Sequence, residues 1–453
     1  MASSTDALDA LYAKVDGRKG EWAVLPTAER VAMGRRLMQR YHRAAPAMVA
    51  AAVAAKCIPV RSSTTAEEWL AGPMCFLRTT RLLLDELERR AKPGATEHPL
   101  GAAAVTERVC GAGEAHPSGT RQRIWSVCPS SNWDRLLFPG TTAAIWTEPS
   151  SSGEGDAPAR SAGAGVVARG GEVALVLGAG NVSSIGPLDV VNKLFVESSV
   201  CVLKMSPVNG YLAPFFEDAF AEFIERGFLA ICGGGAAEGA YLCAHPLCGA
   251  IHVTGSAKTH DAILFGGAPR AAAGGGAAAQ GGDTAAARPR VNTRRTTSEL
   301  GNVSPIVIVP GKWSAAALLF HAENVASQLA NNAAFNCNAG RVIVTSRGWA
   351  QRGAFLDALR KVYRARVACR VAYYPGAAQV RRLFAVSSLW SFCLLISSFV
   401  CSSTPQRYRR WVRDAAARGL DVEQLGAAFD VADDDECVFF YVPLHFTRIT
   451  LTI

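Results

Sequence analysis

The chain has 453 residues, 49% hydrophobic and only 19% charged, enough apolar material for more than one packed unit and against a largely disordered chain. Its net charge of +9 comes from scattered arginines in an Ala/Gly-rich background, with no dense basic helix interleaved with aromatics, so nucleic acid is excluded as the expected partner. The 13 cysteines form no CxxC…CxxC set, the eight histidines show no HExxH, and the chain opens Met-Ala-Ser-Ser-Thr-Asp, which together argue against a metal site and a secreted disulfide framework and for a cytoplasmic or organellar location.

Residues 5 to about 95 carry apolar side chains at helical spacing. Thr27-Ala28-Glu29-Arg30-Val31 opens one helix and 66–90 forms another, so 1–150 is expected to be a helical lead-in. The Ser/Gly/Pro/Ala-rich stretch 148–165 reads as an exposed loop. From Val173 short apolar strands alternate with helices. Strands are predicted at 173–177, 200–204, 229–232 and 250–253, with helices at 185–198, 211–226 and 236–244 between them. This spacing predicts an α/β fold with a parallel sheet covered on both faces, a dinucleotide-type unit over 165–297. Within it, 271–287 is almost wholly Ala, Gly and Gln, a low-complexity insertion with little to bury. The alternation resumes with strands at 291–299, 306–309 and 342–345 and helices at 314–330 and 350–364, making 298–436 a second α/β unit.

Four short segments carry candidate chemistry, in chain order. Gly178-Ala179-Gly180-Asn181 follows the first strand of the alternating region, and Val253-Thr254-Gly255-Ser256 closes the fourth. Ser298-Glu299-Leu300-Gly301-Asn302-Val303-Ser304-Pro305 comes next. The last, Asn331-Asn332-Ala333-Ala334-Phe335-Asn336-Cys337-Asn338-Ala339-Gly340-Arg341-Val342, lies between a helix and an apolar strand. Taken singly, a cysteine is usually a buried structural thiol, a strand-end glutamate a solvated charge and a turn asparagine a residue that tolerates left-handed backbone. Four ordered elements are a stronger signal. No GxGxxG follows the first strand, which disfavours an ordinary Rossmann dehydrogenase.

In this order the segments resemble the aldehyde dehydrogenase superfamily, best over about 165–365. The resemblance implies an aldehyde dehydrogenase-like fold, with a parallel-sheet dinucleotide-binding domain and an α/β catalytic domain. It implies an oxidoreductase that oxidises a small-molecule aldehyde with NAD or NADP. Cys337 would be the nucleophile, passing through a thiohemiacetal and a thioester. Asn181, with the Cys337 backbone N–H, would stabilise the oxyanion, and Glu299 would activate water for deacylation. Lys204 stands where the family contacts the adenosine ribose, Thr254-Gly255-Ser256 opens a helix toward the pyrophosphate, and Gly301 completes the cofactor set. Pro207 stands where many members carry a second ribose-binding glutamate, which leaves NAD against NADP open.

The C-terminal region departs from the resemblance. Residues 383–400 carry no charge and are long enough for a membrane span, but a span there would interrupt the catalytic domain. Excising 380–406 joins Gln379 to Arg407 in a turn entering an amphipathic helix, so this block reads as a retained intron. The segment 437–453 is an atypical tail that follows the acidic run Asp433-Asp434-Asp435-Glu436. The family's Glu-x-Phe-Gly-Pro segment and closing oligomerisation strand have no counterpart, so the chain reads as a divergent, C-terminally truncated member whose homo-oligomerisation is open. The rival readings are an acyl-CoA or acyl-phosphate reductase on the same scaffold, a catalytically inactive nucleotide-binding protein, and a membrane-tethered protein.

Overall fold

The computed structural model describes residues 4–59, 61–94, 105–109, 121–146, 171–266, 289–301, 304–367, 371, 373–375, 423–425 and 439–441. The expected loop at 148–165, the insertion at 271–287 and the 380–406 block, with its span reading, lie outside the described residues. Among the described residues no helix is long and apolar enough to cross a membrane.

Five helices open the chain: α1 (Thr5–Asp16), α2 (Lys19–Val24), α3 (Thr27–Ala55), α4 (Thr65–Trp69) and α5 (Cys75–Arg90), the last two joined by a π turn at Leu70–Met74. The Ala-rich α3 combines high helix propensity with a buried stripe of Leu37, Tyr41, Ala45, Met48 and Ala52. It passes so close to α5 that a side chain at Gly34 would meet Leu84 Cδ2 at 2.7 Å. Lys56 is the C-cap of α3, its backbone N–H donating to the Ala52 carbonyl.

The helical lead-in expected over 1–150 gives way to short strands and one short helix after Arg90. Beyond it, β1 (Val105–Val109), β2 (Arg121–Cys128) and β3 (Ala143–Trp146) form an antiparallel sheet in that order, with α6 (Asn132–Leu137) between β2 and β3. Runs such as Ile124-Trp125-Ser126-Val127 are β-branched and aromatic and too short for helical periodicity to claim them. Buried Asp134 ties α6 back to α5, accepting from the Ser130 N–H and hydroxyl and from Arg78 Nη2 at 2.8 Å.

The next elements are β4 (Val173–Leu177), α7 (Ile185–Val191), β5 (Val200–Lys204), α8 (Ala213–Ala219), α9 (Ala221–Glu225), β6 (Leu229–Cys232), α10 (Ala236–Ala244), β7 (Ala250–Gly255), α11 (Ala257–Phe265) and β8 (Arg295–Leu300). The five strands are parallel, in the order β6-β5-β4-β7-β8. Val-Ala-Leu-Val-Leu and Val-Cys-Val-Leu-Lys are near-continuous apolar runs because helices cover both faces, and both strands are buried almost throughout. The helix expected at 185–198 ends in a π turn at Asn192–Val196, and that at 211–226 divides at Phe220. The division lets Phe216, Phe220 and Phe223 all enter one aromatic core with Trp22, Tyr41 and Phe76.

Strand order reverses between β4 and β7. In open α/β sheets a ligand crevice lies at that reversal, outside the carboxyl ends of the strands.

The second unit holds β9 (Ser304–Ile308), α12 (Ala315–Ala330), β10 (Gly340–Thr345) and α13 (Arg352–Arg366). Its two strands are parallel, Ile343 opposite Ile306, over a separate core of Ile308, Val325, Leu329, Ile343, Phe355 and Leu359. A short antiparallel pair, β11 (Glu423–Leu425) with β12 (Phe439–Tyr441), lies further along the chain, β12 within the expected tail.

Candidate active site

Every candidate outside the cysteine segment sits at the carboxyl edge of one sheet. Asn181 follows β4, Lys204 ends β5, Thr254 and Gly255 end β7, Ser256 caps α11, and Glu299 and Gly301 end β8 and follow it. Register sets their alignment: Leu177 is opposite Lys204 and Val253, and Thr254 is opposite Glu299.

The turn after β4 is packed tightly. A Cβ on Gly180 would meet Ser206 Oγ at 2.6 Å and Val208 Cβ at 2.8 Å, so this turn admits no side chain there without rearrangement. Buried Asn209 donates from Nδ2 to the Ala179 carbonyl at 2.8 Å and fixes the turn from below. Asn181, 8% exposed, then donates from its side-chain amide to the Phe335 carbonyl at 3.0 Å. This bond crosses from the first sheet to the segment carrying Cys337, two residues further on.

That segment is unusual backbone. Asn332, Ala333 and Ala334 have φ of 51°, 51° and 61°, the left-handed region where alanine costs about 1 kcal/mol per residue. Asn332 is buried, and its side chain uses all its bonding capacity. Its Nδ2 donates to the Asn181 carbonyl and to Asn336 Oδ1, both at 2.8 Å. Its Oδ1 accepts from Lys56 Nζ and has the Tyr373 hydroxyl at 3.0 Å, while its N–H donates to Glu67 Oε2 at 2.8 Å. The two faces of the amide are therefore not interchangeable. Phe335 stacks on Tyr374, ring centroids 4.6 Å apart, and meets Tyr373 edge-on at 4.8 Å.

Cys337 itself is a half-buried free thiol in the turn before β10. Arg341, 2% exposed, donates from Nη2 to the Asn336 carbonyl at 3.0 Å. Burial lowers its pKa to about 10, and it lies within electrostatic reach of the Cys337 side chain.

On the cofactor side, Lys204 is 7% exposed, and among the described residues its ammonium has one hydrogen bond, a 3.4 Å contact to the Met205 carbonyl. Burial pushes its pKa down, partly countered by the Glu238 carboxylate. Ser256 caps α11 by accepting from the Thr259 N–H at 3.1 Å, leaving the helix N-terminus open at the sheet edge beside exposed Gly255. Thr254 points the other way, its hydroxyl donating to Asp189 Oδ2 of α7 at 3.2 Å. Glu299 is exposed, and among the described residues its side chain makes no hydrogen bond or ion pair. The structure thus joins Asn181 to the cysteine segment, while Glu299, Lys204, Gly255, Ser256 and half-buried Gly301 share an edge without touching that segment through a hydrogen bond.

Lys56, Glu67, Asn209, Asn332, Arg341 and Tyr373 were not legible as site residues. Only Asn332 and Arg341 carried any signal, by lying inside the cysteine segment.

No protein-family model matches the chain, and no curated protein matches it. Solved structures do. An aldehyde dehydrogenase from Bartonella henselae is 12% identical with a TM-score of 0.54, over 97% of this chain and 69% of that one. An NAD-dependent benzaldehyde dehydrogenase from Corynebacterium glutamicum is 15% identical with a TM-score of 0.51, over 93% and 68%. PnpE in complex with nicotinamide adenine dinucleotide is 12% identical with a TM-score of 0.53, over 95% and 66%. The likeness establishes the architecture: the chain has the aldehyde dehydrogenase fold.

Proposed function

We propose that this protein oxidises a small-molecule aldehyde to the carboxylic acid with NAD or NADP, using Cys337 as a covalent nucleophile. The observation that carries this reading is the Asn181 amide bonded to the Phe335 carbonyl, which brings the oxyanion candidate to the cysteine segment across 154 positions of sequence. An amide nitrogen has two hydrogens. One is used by Phe335, and the second is available to an oxygen developing on a carbonyl attacked by Cys337. The Cys337 N–H, which no described backbone carbonyl engages, would supply the second donor.

The residues present fit a dinucleotide. Lys204 is a buried ammonium with one weak partner, suited to ribose hydroxyls, and the α11 N-terminus with Gly255 suits a pyrophosphate. When bound, the nicotinamide group would accept the hydride. This chain's own residues do the rest: Cys337 adds to the carbonyl and Asn181 steadies the oxygen. Lys204→Met is expected to weaken NAD(P)H binding about 10-fold while leaving melting temperature unchanged or higher, because a buried charge is removed. Fluorescence titration checks it, and equal affinity would count against this cofactor site.

Glu299 is the proposed base for deacylation. Its exposure at the open sheet edge suits a side chain that swings to meet the thioester. Glu299→Gln is expected to slow acid release about 100-fold while preserving one fast turnover of NAD(P)H, with esterase activity lost as well. Unchanged acid release would remove Glu299 from the mechanism. Acceleration by coenzyme A or phosphate would favour an acyl-CoA or acyl-phosphate reductase.

A further inference from the structure

The cation that ends α3 has no part in the mechanism above, yet it is buried where three separate segments of the chain meet. Lys56 is 7% exposed and its partner Glu68 5%. The ammonium lies 2.7 Å from Glu68 Oε1, 3.1 Å from the Asn181 carbonyl and 3.0 Å from Asn332 Oδ1, above the Tyr373 ring at 5.0 Å. Three N–H donors thus meet three acceptors, and the carboxylate balances the charge.

We propose that Lys56 is a positioning residue for Cys337: its ammonium ties Asn181 to Asn332 and so holds the left-handed run that presents the thiol. The proposal rests on the reading of Cys337 as nucleophile. Asn332 is the pivot. Its Oδ1 faces Lys56, which turns its Nδ2 toward the Asn181 carbonyl and Asn336, the residue before Cys337. Fixing the Asn181 main chain also fixes the side-chain amide that reaches Phe335. Glu67, one residue before Glu68, adds a bond to the Asn332 N–H, so the first residue of the left-handed run is gripped at both its side chain and its main chain from the N-terminal helices. Without Lys56 the backbone can relax toward ordinary dihedrals, changing how the Cys337 thiol is presented.

The test uses full-length protein and follows iodoacetamide labelling of Cys337 by peptide mass spectrometry, with Cys128 as the internal reference. Lys56→Met alone would leave Glu68 buried without its cation, so the decisive variant pairs Lys56→Met with Glu68→Leu. An apolar replacement of both partners keeps the fold. A role in stability alone leaves labelling unchanged in that folded double variant. Positioning slows it about 10-fold, and Lys56→Arg restores it to within about 3-fold of the unmodified rate. Tyr373→Phe, which removes one hydroxyl from the same cluster, serves if the double variant does not fold: a fall of about 3-fold supports the proposal and an unchanged rate overturns it. Wild-type labelling in the folded double variant, or no recovery with Lys56→Arg, overturns it too. Labelling needs neither aldehyde nor nucleotide, so an absence of dehydrogenase turnover would sink the functional reading without deciding this one.

Discussion

Cys337→Ala is expected to abolish aldehyde oxidation, by at least about 10⁴-fold in kcat/KM, while NAD(P)H binding and melting temperature stay near those of the unmodified chain. The size follows from chemistry: without the sulfur there is no covalent adduct, and water is a poor substitute for a sulfur nucleophile. The fold should be indifferent because Cys337 is half-buried in a turn and lies outside both apolar cores. Nucleotide binding should be indifferent because Lys204 and the α11 N-terminus belong to the other unit. Steady-state kinetics with fluorescence titration on one preparation reads all three. A variant retaining a tenth of its turnover would transfer the chemistry to another group.

The second large effect belongs to Asn181. Asn181→Ala should lower kcat and kcat/KM together by about 10²–10³, the loss seen when one oxyanion donor is removed. KM should hardly change, because the bond to the oxygen strengthens only as charge develops. Asn181→Asp should do no better: a carboxylate would face the Phe335 carbonyl with no hydrogen to donate, and would repel the developing oxyanion. Part of the Ala loss could come from release of Phe335. Labelling of Cys337 separates the two, since an oxyanion role leaves the thiol's reactivity intact. A variant whose KM rises while kcat holds would contradict the assignment.

The first sheet was legible because parallel strands buried on both faces write themselves as apolar runs, and β4, β5 and β6 begin and end where Val173, Lys204 and Cys232 predict. The small antiparallel sheet was not. Its β2 alternates weakly, and its register with β1 and β3 depends on partners apart in sequence. The interrupted helices escaped for a related reason: helical spacing runs straight through Phe220, and only packing against Trp22 and Tyr41 decides where the helix breaks. The catalytic candidates were visible as motifs because each lies at a strand end or turn whose composition is distinctive.

Their supports were invisible because each has a sufficient local explanation. Lys56 reads as a cation complementing the end of α3, and Glu67 and Glu68 as acids in the first turn of α4. Nothing local connects Lys56 to Asn332, 276 positions away. Asparagine at 332 tolerates left-handed backbone, but alanine at 333 and 334 does not favour it, and tertiary contacts hold the run there.

The most direct measurement of the central claim is a mass spectrum of the Glu299→Gln protein incubated with NAD or NADP and a panel of propanal, hexanal and benzaldehyde. The account predicts reduced cofactor in an amount matching the enzyme, and the acyl mass on the peptide that contains Cys337. A folded protein that binds nucleotide yet gives neither the burst nor a Cys337 adduct with any aldehyde would contradict it.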